Sequence, residues 1–588
     1  MKWFAILLLA LACTAEASPF GVKPASLGTA QSQYTLANSG GVTVPGIFVA
    51  GNGAFATGSD ATGDGSTNNP YFTLTKALSA YVVGTITNFW VARGGTNYEQ
   101  FIVPINCTLS CYGPSNLYGR PVISGVTNLV NANFSKTAGQ NYTYEIALIP
   151  NQATNNYAGV KTNQVLMVWE DKHDGQGLQR VGTDLWSRNA GFASIANVEA
   201  NANSFWWNPA VGKLYVHPGD NSSPVTNGFQ YAASVRTLCA VGTTNTTING
   251  ITAEYPYAYD TVGQEGYPLL AQCSGVIENC LARGGWNHLV GVAPSGGVQS
   301  AGNVTNYFYN ITAYDMQTNP SSGPGIMYIA DTQDLGTTPN NGIAAIFSNC
   351  VAGMFGPNAG SNTPSVQHAG FGLHEANDTV QFINCVATNF YIGFQPGTNC
   401  TLFSNCIAAN CWEGILTPDQ TNSVSGFTAY SCAYGIKANS GNFQFTLVNS
   451  KFWHCRSAAI FTSTTSTNGF YTNNVFAATN GVGVGINSGG RGYLDVNSLS
   501  NSFFGLNYCY DYGTMTNAAG TDSSDFNNYY GCNRYASDMN PSPGYFISWS
   551  NWTNAWSGKI DWHSTNTNST ALYPNSAFVY TAPDPSGP

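Results

Sequence analysis

The chain has 588 residues, of which 8% are charged and 13% aromatic, with 65 glycines and a formal net charge of −10. The acidic balance and the absence of a basic patch that could neutralise phosphates argue against a nucleic-acid partner. Low charge would also suit a disordered chain, but such chains lack the aromatic and β-branched residues that abound here, so the chain is expected to fold.

The N-terminus, Met1-Lys-Trp-Phe-Ala-Ile-Leu-Leu-Leu-Ala-Leu-Ala, places one Lys before an apolar run too short to span a bilayer comfortably. Ala15-Glu16-Ala17 supplies a small-x-small cleavage site. Residues 1–17 therefore read as a secretory signal peptide, and a secreted, extracellular or cell-surface protein is expected. Cys13 as a lipoprotein cysteine is a competing reading, which Ala10-Leu11-Ala12 fits poorly. No later stretch is long and apolar enough to form an integral membrane segment.

Residues 18–139 hold an extended lead, a cap and the first coils. Gly51-Asn-Gly and Gly63-Asp-Gly-Ser-Thr-Asn-Asn-Pro70 are turn chemistry, and Thr73 to Ala80 reads as a short helix. Residues 140–235 interrupt the pattern as a β-rich insertion, with strands at Val165–Glu170 and Lys213–His217. Residues 236–535 carry the main repeats, and 536–588 form a closing segment.

The repeats are a short phrase: Gly372-Leu373-His374, Gly393-Phe394-Gln395, Gly414-Ile415-Leu416, Gly435-Ile436-Lys437, Ala459-Ile460-Phe461 and Gly485-Ile486-Asn487, the first four at 21-residue spacing. A second phrase keeps step with it: Phe347-Ser-Asn-Cys350, Phe382-Ile-Asn-Cys385, Phe403-Ser-Asn-Cys406 and Tyr430-Ser-Cys432. Each unit holds two or three short strands between Asn, Gly and Ser turns, the content of one coil of a parallel β-helix. One coil cannot bury its apolar face alone, so stacking must close the core.

Alternation along a strand predicts that Leu373, Phe394, Ile415, Ile436, Ile460 and Ile486 point inward. The glycine row and the row His374, Gln395, Leu416, Lys437, Phe461 and Asn487 are then expected outward, as a shallow floor on which a long polymer could lie. Glu413 falls at an expected inward position, so either the strand bends there or a partner holds the carboxylate. Cys350, Cys385, Cys406 and Cys432 should stack as small buried residues. The nearby Cys107 and Cys111 are the favoured disulfide candidate in a secreted chain.

Three segments carry a resemblance. The glycine-rich turn followed by Pro70-Tyr-Phe-Thr-Leu-Thr-Lys-Ala-Leu78 resembles the entry of secreted right-handed parallel β-helix proteins of the pectate-lyase-like superfamily. Phe205-Trp-Trp-Asn-Pro-Ala-Val-Gly-Lys-Leu-Tyr-Val-His-Pro218 is similar to a hairpin common there, with Asn208 where Asp is usual, and the tail from Tyr545 to Trp562-His-Ser-Thr resembles the family's closing segment. The resemblance implies an all-β right-handed parallel β-helix (a solenoid) with a short N-terminal cap helix. It also implies polysaccharide lyase or glycoside hydrolase activity on an extracellular polysaccharide, with Ca²⁺ as an expected cofactor in some members. The motif sets of polygalacturonases and of typical pectate lyases are absent.

Candidate site residues follow from chemistry and position. His374 beside Glu375 suits proton transfer, or is a solvated strand end. Asp331 and Asp334 open an insertion and could bind Ca²⁺ or act as an acid–base pair, or simply form turns. Lys437 is a candidate lyase base, and Arg456 could neutralise a sugar carboxylate. Trp286 and His288 suit sugar stacking or a place in the core, and Gln395 would line the floor. The runner-up function is a non-catalytic adhesin, matrix or self-assembling filament protein, for which the low charge speaks.

Overall fold

The computed structural model describes residues 46–148, 168–171, 178–180, 194–234, 239–256, 268–284, 288–292, 304–314, 325–329, 343–353, 369–373, 379–396, 400–417, 422–438, 442–462, 466–478, 483–487, 493–512, 523–525, 527–530, 532–538, 544–546 and 564–567. Three sheets of fourteen strands each run through it. A typical coil passes Thr379–Ile383 in sheet A, Val386–Thr388 in sheet B and Ile392–Gln395 in sheet C. The next coil pairs with it strand by strand, parallel and nearly in register: Phe382↔Phe403, Ala387↔Ala408 and Phe394↔Ile415. This is a parallel β-helix, as the repeats predict.

Packing inside the coil explains the phrase. Sheet C carries Phe371 and Phe394 where the facing column of sheet B carries Ala352, Ala387 and Ala408. Further along, sheet C switches to Ile436, Ile460 and Ile486 while sheet B switches to Phe452, Phe476 and Phe503. Large opposite small keeps the cross-section constant and the interior close-packed. The aromatics stack along the axis, at 4.9 Å for Phe371–Phe394 and 4.9 Å for Phe476–Phe503.

The corners are equally regular. The residue leaving sheet A is left-handed, at Asn279, Asn310, Asn349, Asn384, Asn405, Asn449 and Asn473, with φ between 52° and 55°. Asn tolerates this region better than other side-chain-bearing residues, and its amides bridge neighbouring coils, as in Asn473 Nδ2 donating to Asn449 Oδ1 at 2.6 Å. The next residue points inward. Cys350, Cys385 and Cys406 occupy this column as buried thiols, as expected, but Cys432 does not: it follows left-handed Ser431 at the corner between sheets B and C, in line with Cys411, and Phe427 takes its coil's place in the column. Ser450, Asn474, Asn501 and Asn527 continue it, each Asn Oδ1 accepting the backbone N–H of the coil before at 2.8 Å.

The proposed Cys107–Cys111 disulfide is corrected: both are free thiols. Cys107 immediately precedes the extended strand Thr108–Tyr112 and Cys111 lies within it, and four residues of strand span about 13 Å, far beyond disulfide reach. Cys107 is instead buried in the core, its sulfur 3.5 Å from the Tyr81 hydroxyl.

Helix α1 (Leu74–Ser79) lies within the segment read as helical. Thr73 caps it, and Glu99 accepts the Leu74 and Thr75 N–H groups at 2.7 and 2.9 Å, which suits a carboxylate at a helix N-terminus. Leu74 and Ala77 join the main core. Two further four-stranded sheets, paired antiparallel, stand beside the early coils. One includes the hairpin of Ser204–Asn208 and Lys213–His217, where Asn208 Oδ1 accepts the Ala210 N–H at 3.1 Å. Asn thus makes the turn bond that Asp would make. Trp169 of the other packs against Tyr255 of the coil at 5.0 Å.

Candidate functional site

The site lies on the outer surface of sheet C, and a bend in each strand creates it. The ladder pairs Ile392↔Glu413↔Tyr434 and Phe394↔Ile415↔Ile436 and passes over the glycine between. A Cβ on Gly393, Gly414 or Gly435 would strike Ala408 and Cys411, Phe427, or Phe452, all inner residues, as well as the next coil's carbonyl oxygen at 2.4 to 2.6 Å. The glycine row therefore faces inward, against expectation. Strict alternation fails because the glycine and its successor both turn to the core, which throws the residue before the glycine outward. The first copy is also corrected: Phe371 pairs with Phe394, so Gly370-Phe371-Gly372 is the true equivalent of Gly393-Phe394-Gln395.

Glu413 is the principal beneficiary of the bend. It stands outward, not inward, yet only 1% of it is exposed. Its Oε1 accepts a hydrogen bond from Lys437 Nζ of the next coil. Its Oε2 is buried with no hydrogen-bond partner among the described residues. Burial pushes the carboxyl above the ordinary glutamate range, and the Lys437 ammonium pulls it only part of the way back. The neighbouring Tyr391 phenol is raised by burial and by the Glu413 charge.

Aromatic rings frame this carboxylate. Tyr391 and Trp412 lie on successive coils, stacked at 6.3 Å and 8°. Backbone bonds from Ala433 to Cys411 and from Arg456 to Cys432 continue that column as Ala433 and then Arg456. The methyl of Ala433 leaves a gap, and the exposed Arg456 guanidinium reaches across it to 5.9 Å from the Trp412 ring. On the other flank Tyr434 meets Trp412 edge-on at 6.2 Å and Phe461 at 5.3 Å, with Lys437 Nζ 5.4 Å over its ring.

Of the residues singled out from sequence, Lys437 and Arg456 lie against the rings around Glu413, while Gln395 ends the sheet C strand two coils before Lys437. Lys437 is held by Glu413, which does not suit a free base. His288 is described and is buried at 3% exposure. His374, Glu375, Asp331, Asp334 and Trp286 lie outside the described residues. Among the described residues no three His, Cys, Asp or Glu side chains come together to hold a metal ion, and no helix is long and apolar enough to cross a membrane. Sequence reasoning did not place Tyr391, Trp412 or Tyr434 at the site. Its one signal was Glu413, a carboxylate where the neighbouring coils carry Ile392, Tyr434, Ala458 and Val484.

No family model matches the chain, and no curated relative matches it. Among solved structures it is similar to XylC in complex with xylose, at 11% identity and a TM-score of 0.41, over 78% of this chain and 84% of that one. It is similar also to a glycoside hydrolase, at 10% identity and 0.33, over 78% and 96%. A third is the GH136 lacto-N-biosidase from Eubacterium ramulus, at 8% identity and 0.23, over 85% and 65%. At such overlap these likenesses carry no argument for the chemistry of this chain, and the fold stands on its own strand pairing.

Proposed function

We propose that the protein is a secreted, polysaccharide-active protein that binds an extracellular glycan along the outer face of sheet C and processes it with Glu413 as the proton-transferring group. One observation carries the reading: a carboxylate with a raised proton affinity, one oxygen without a partner among the described residues, set among Tyr391, Trp412 and Tyr434. Aromatic faces suit pyranose rings, which are apolar on their C–H side, and a carboxyl with a raised pKa suits delivery of a proton to a glycosidic oxygen. Arg456 and Lys437 supply donors for hydroxyl or carboxylate groups of the chain. Glycan binding must part the side chains over Glu413 for its free oxygen to act.

The test is a soluble glycan panel read by reducing-end release and by ultraviolet absorbance of unsaturated products. The reading expects turnover of at least one glycan, lost in Glu413→Gln while binding persists. Turnover that survives Glu413→Gln unchanged would sink the catalytic assignment. The second reading, self-association, is favoured by large apolar side chains on the outer face of sheet A: Leu402, Phe470 and Leu499 are 40–49% exposed. It predicts concentration-dependent oligomers by light scattering and no turnover of any glycan.

A further inference from the structure

Directly behind the candidate site, Cys411 and Cys432 stand one above the other. Each follows the left-handed residue of its corner, Asn410 at φ 53° and Ser431 at φ 54°. The backbone holds them in step, since Asn410 N–H donates to the Tyr430 carbonyl at 2.9 Å and Ala433 N–H to the Cys411 carbonyl at 3.1 Å. Both side chains are fully buried, their thiols donating to carbonyls of the same corner, Cys411 to Ala409 at 3.4 Å and Cys432 to Ala408 at 3.6 Å. Adjacent parallel strands lie about 4.8 Å apart, inside the range of roughly 4.4–6.8 Å that a disulfide spans between Cα atoms. Cys455 stands on the far side of Cys432 and is the competing partner, which the experiment below separates.

We infer that Cys411 and Cys432 form an inter-coil cross-linking site, which on oxidation ties the coil bearing Trp412 and Glu413 to the coil bearing Tyr434 and Lys437. The co-reactant is a small-molecule disulfide. One protein thiolate attacks a sulfur of that disulfide and expels a thiolate, forming a mixed disulfide. The second protein thiolate then attacks the first protein sulfur and expels the other half. Two electrons pass from the protein to the oxidant, and the two thiol protons end on the two released small thiols. Because both cysteines are buried in the closed coil, the exchange runs while the coils are still assembling. The inference does not depend on the glycan reading.

The experiment unfolds the full chain in urea with dithiothreitol, then refolds it in parallel in dithiothreitol and in a mixture of oxidised and reduced glutathione. Each sample is denatured, alkylated with iodoacetamide and mapped with chymotrypsin without reduction. Chymotrypsin is needed because no Lys or Arg separates the two cysteines, whereas Trp412, Phe427 and Tyr430 do. The expected result is a peptide pair joined through Cys411 and Cys432, about 2 Da lighter than its separate halves, in the glutathione sample alone. That sample should also melt at a higher temperature than its reduced twin, and the difference should vanish in Cys411→Ala. Recovery of both residues alkylated after oxidative refolding would overturn the inference, as would a cross-link from Cys432 to Cys455. If Cys411→Ala does not fold, the wild-type map alone decides.

Discussion

Glu413 and Lys437 sit one above the other on adjacent coils, joined by an ion pair whose ends differ in solvation: 2% of the glutamate side chain is exposed and 21% of the lysine. Burying a carboxylate is unfavourable unless its charge is answered, and Lys437 answers only one of the two oxygens. Lys437→Met leaves the carboxylate buried with no cation. It should destabilise the protein by about 3 kcal/mol at pH 8, measured as a fall in urea midpoint at unchanged slope.

The same pair sets a pH dependence. The native pKa of Glu413 is raised above its ordinary value of 4.5, so the folded state holds this proton more tightly than the unfolded chain. Stability from this group is therefore fully present below pH 4.5 and is lost as pH rises through the raised native value. Glu413→Gln should flatten that part of a melting-temperature profile between pH 4 and 8. Lys437→Met, which removes the lowering influence, should extend the decline to higher pH. Parallel profiles for wild type and Glu413→Gln would show that the carboxylate is not perturbed in this way.

Much of this was legible in the sequence, and the two misreadings of which way sheet C faces share one cause. Repeat spacing and the Asn-Cys phrases point to stacked coils, because each coil must place the same residue at the same corner. The inward Phe394, Ile415 and Ile436 column was also legible. Which way the glycines face was not, since alternation assumes an unbent strand and the bend is visible only when the next coil's carbonyl oxygens are in place. That single error put the glycine row outside and Glu413 inside. Glu413 still stood out, as a lone carboxylate in an apolar column. Trp412 and Tyr391 could not be assigned, because their column has no repeated identity: Tyr, Trp, Ala, Arg.

The glycine row itself makes a sharp prediction. A Cβ at Gly435 would lie 2.4 Å from Phe452 and 2.5 Å from the Ala459 carbonyl oxygen. Neither can withdraw easily, one being fixed in the aromatic column and the other in backbone. Gly435→Ala should destabilise by about 2 kcal/mol and disturb the Glu413–Lys437 pair beside it. The native Ala459, in the same row one coil on, is the internal control: Ala459→Gly should change stability by less. Equal effects at the two positions would contradict the packing argument.

Trp412 is the test of the ligand face that does not depend on catalysis. Tyr391 stacks on it from one side and Arg456 closes over it from the other, across the gap at Ala433. A sugar ring can take the Trp412 face only where the guanidinium now lies. Trp412→Ala should weaken binding of any glycan the protein recognises by at least about tenfold, roughly 1.4 kcal/mol, in calorimetric titration. Ala433→Leu should fill the gap and weaken binding comparably while leaving the fold intact. Binding indifferent to both substitutions would move the ligand off this face.

The inward corner column gives the strongest structural prediction. Asn501 Oδ1 accepts both the backbone N–H and the side-chain amide of Asn474, at 2.8 and 3.0 Å, while its own Nδ2 donates to the Tyr471 carbonyl at 2.8 Å. All of these groups are buried. Asn501→Ala removes one side chain but strands several polar atoms on the neighbouring coil, and each buried orphan costs about 1–3 kcal/mol. A loss of about 3 kcal/mol or more is expected, larger than for Asn473→Ala, whose amide bridges coils on the exposed side of the same corner. Urea titration of the two variants separates the cases: a smaller loss at 501 than at 473 would mean that water enters the column and satisfies it.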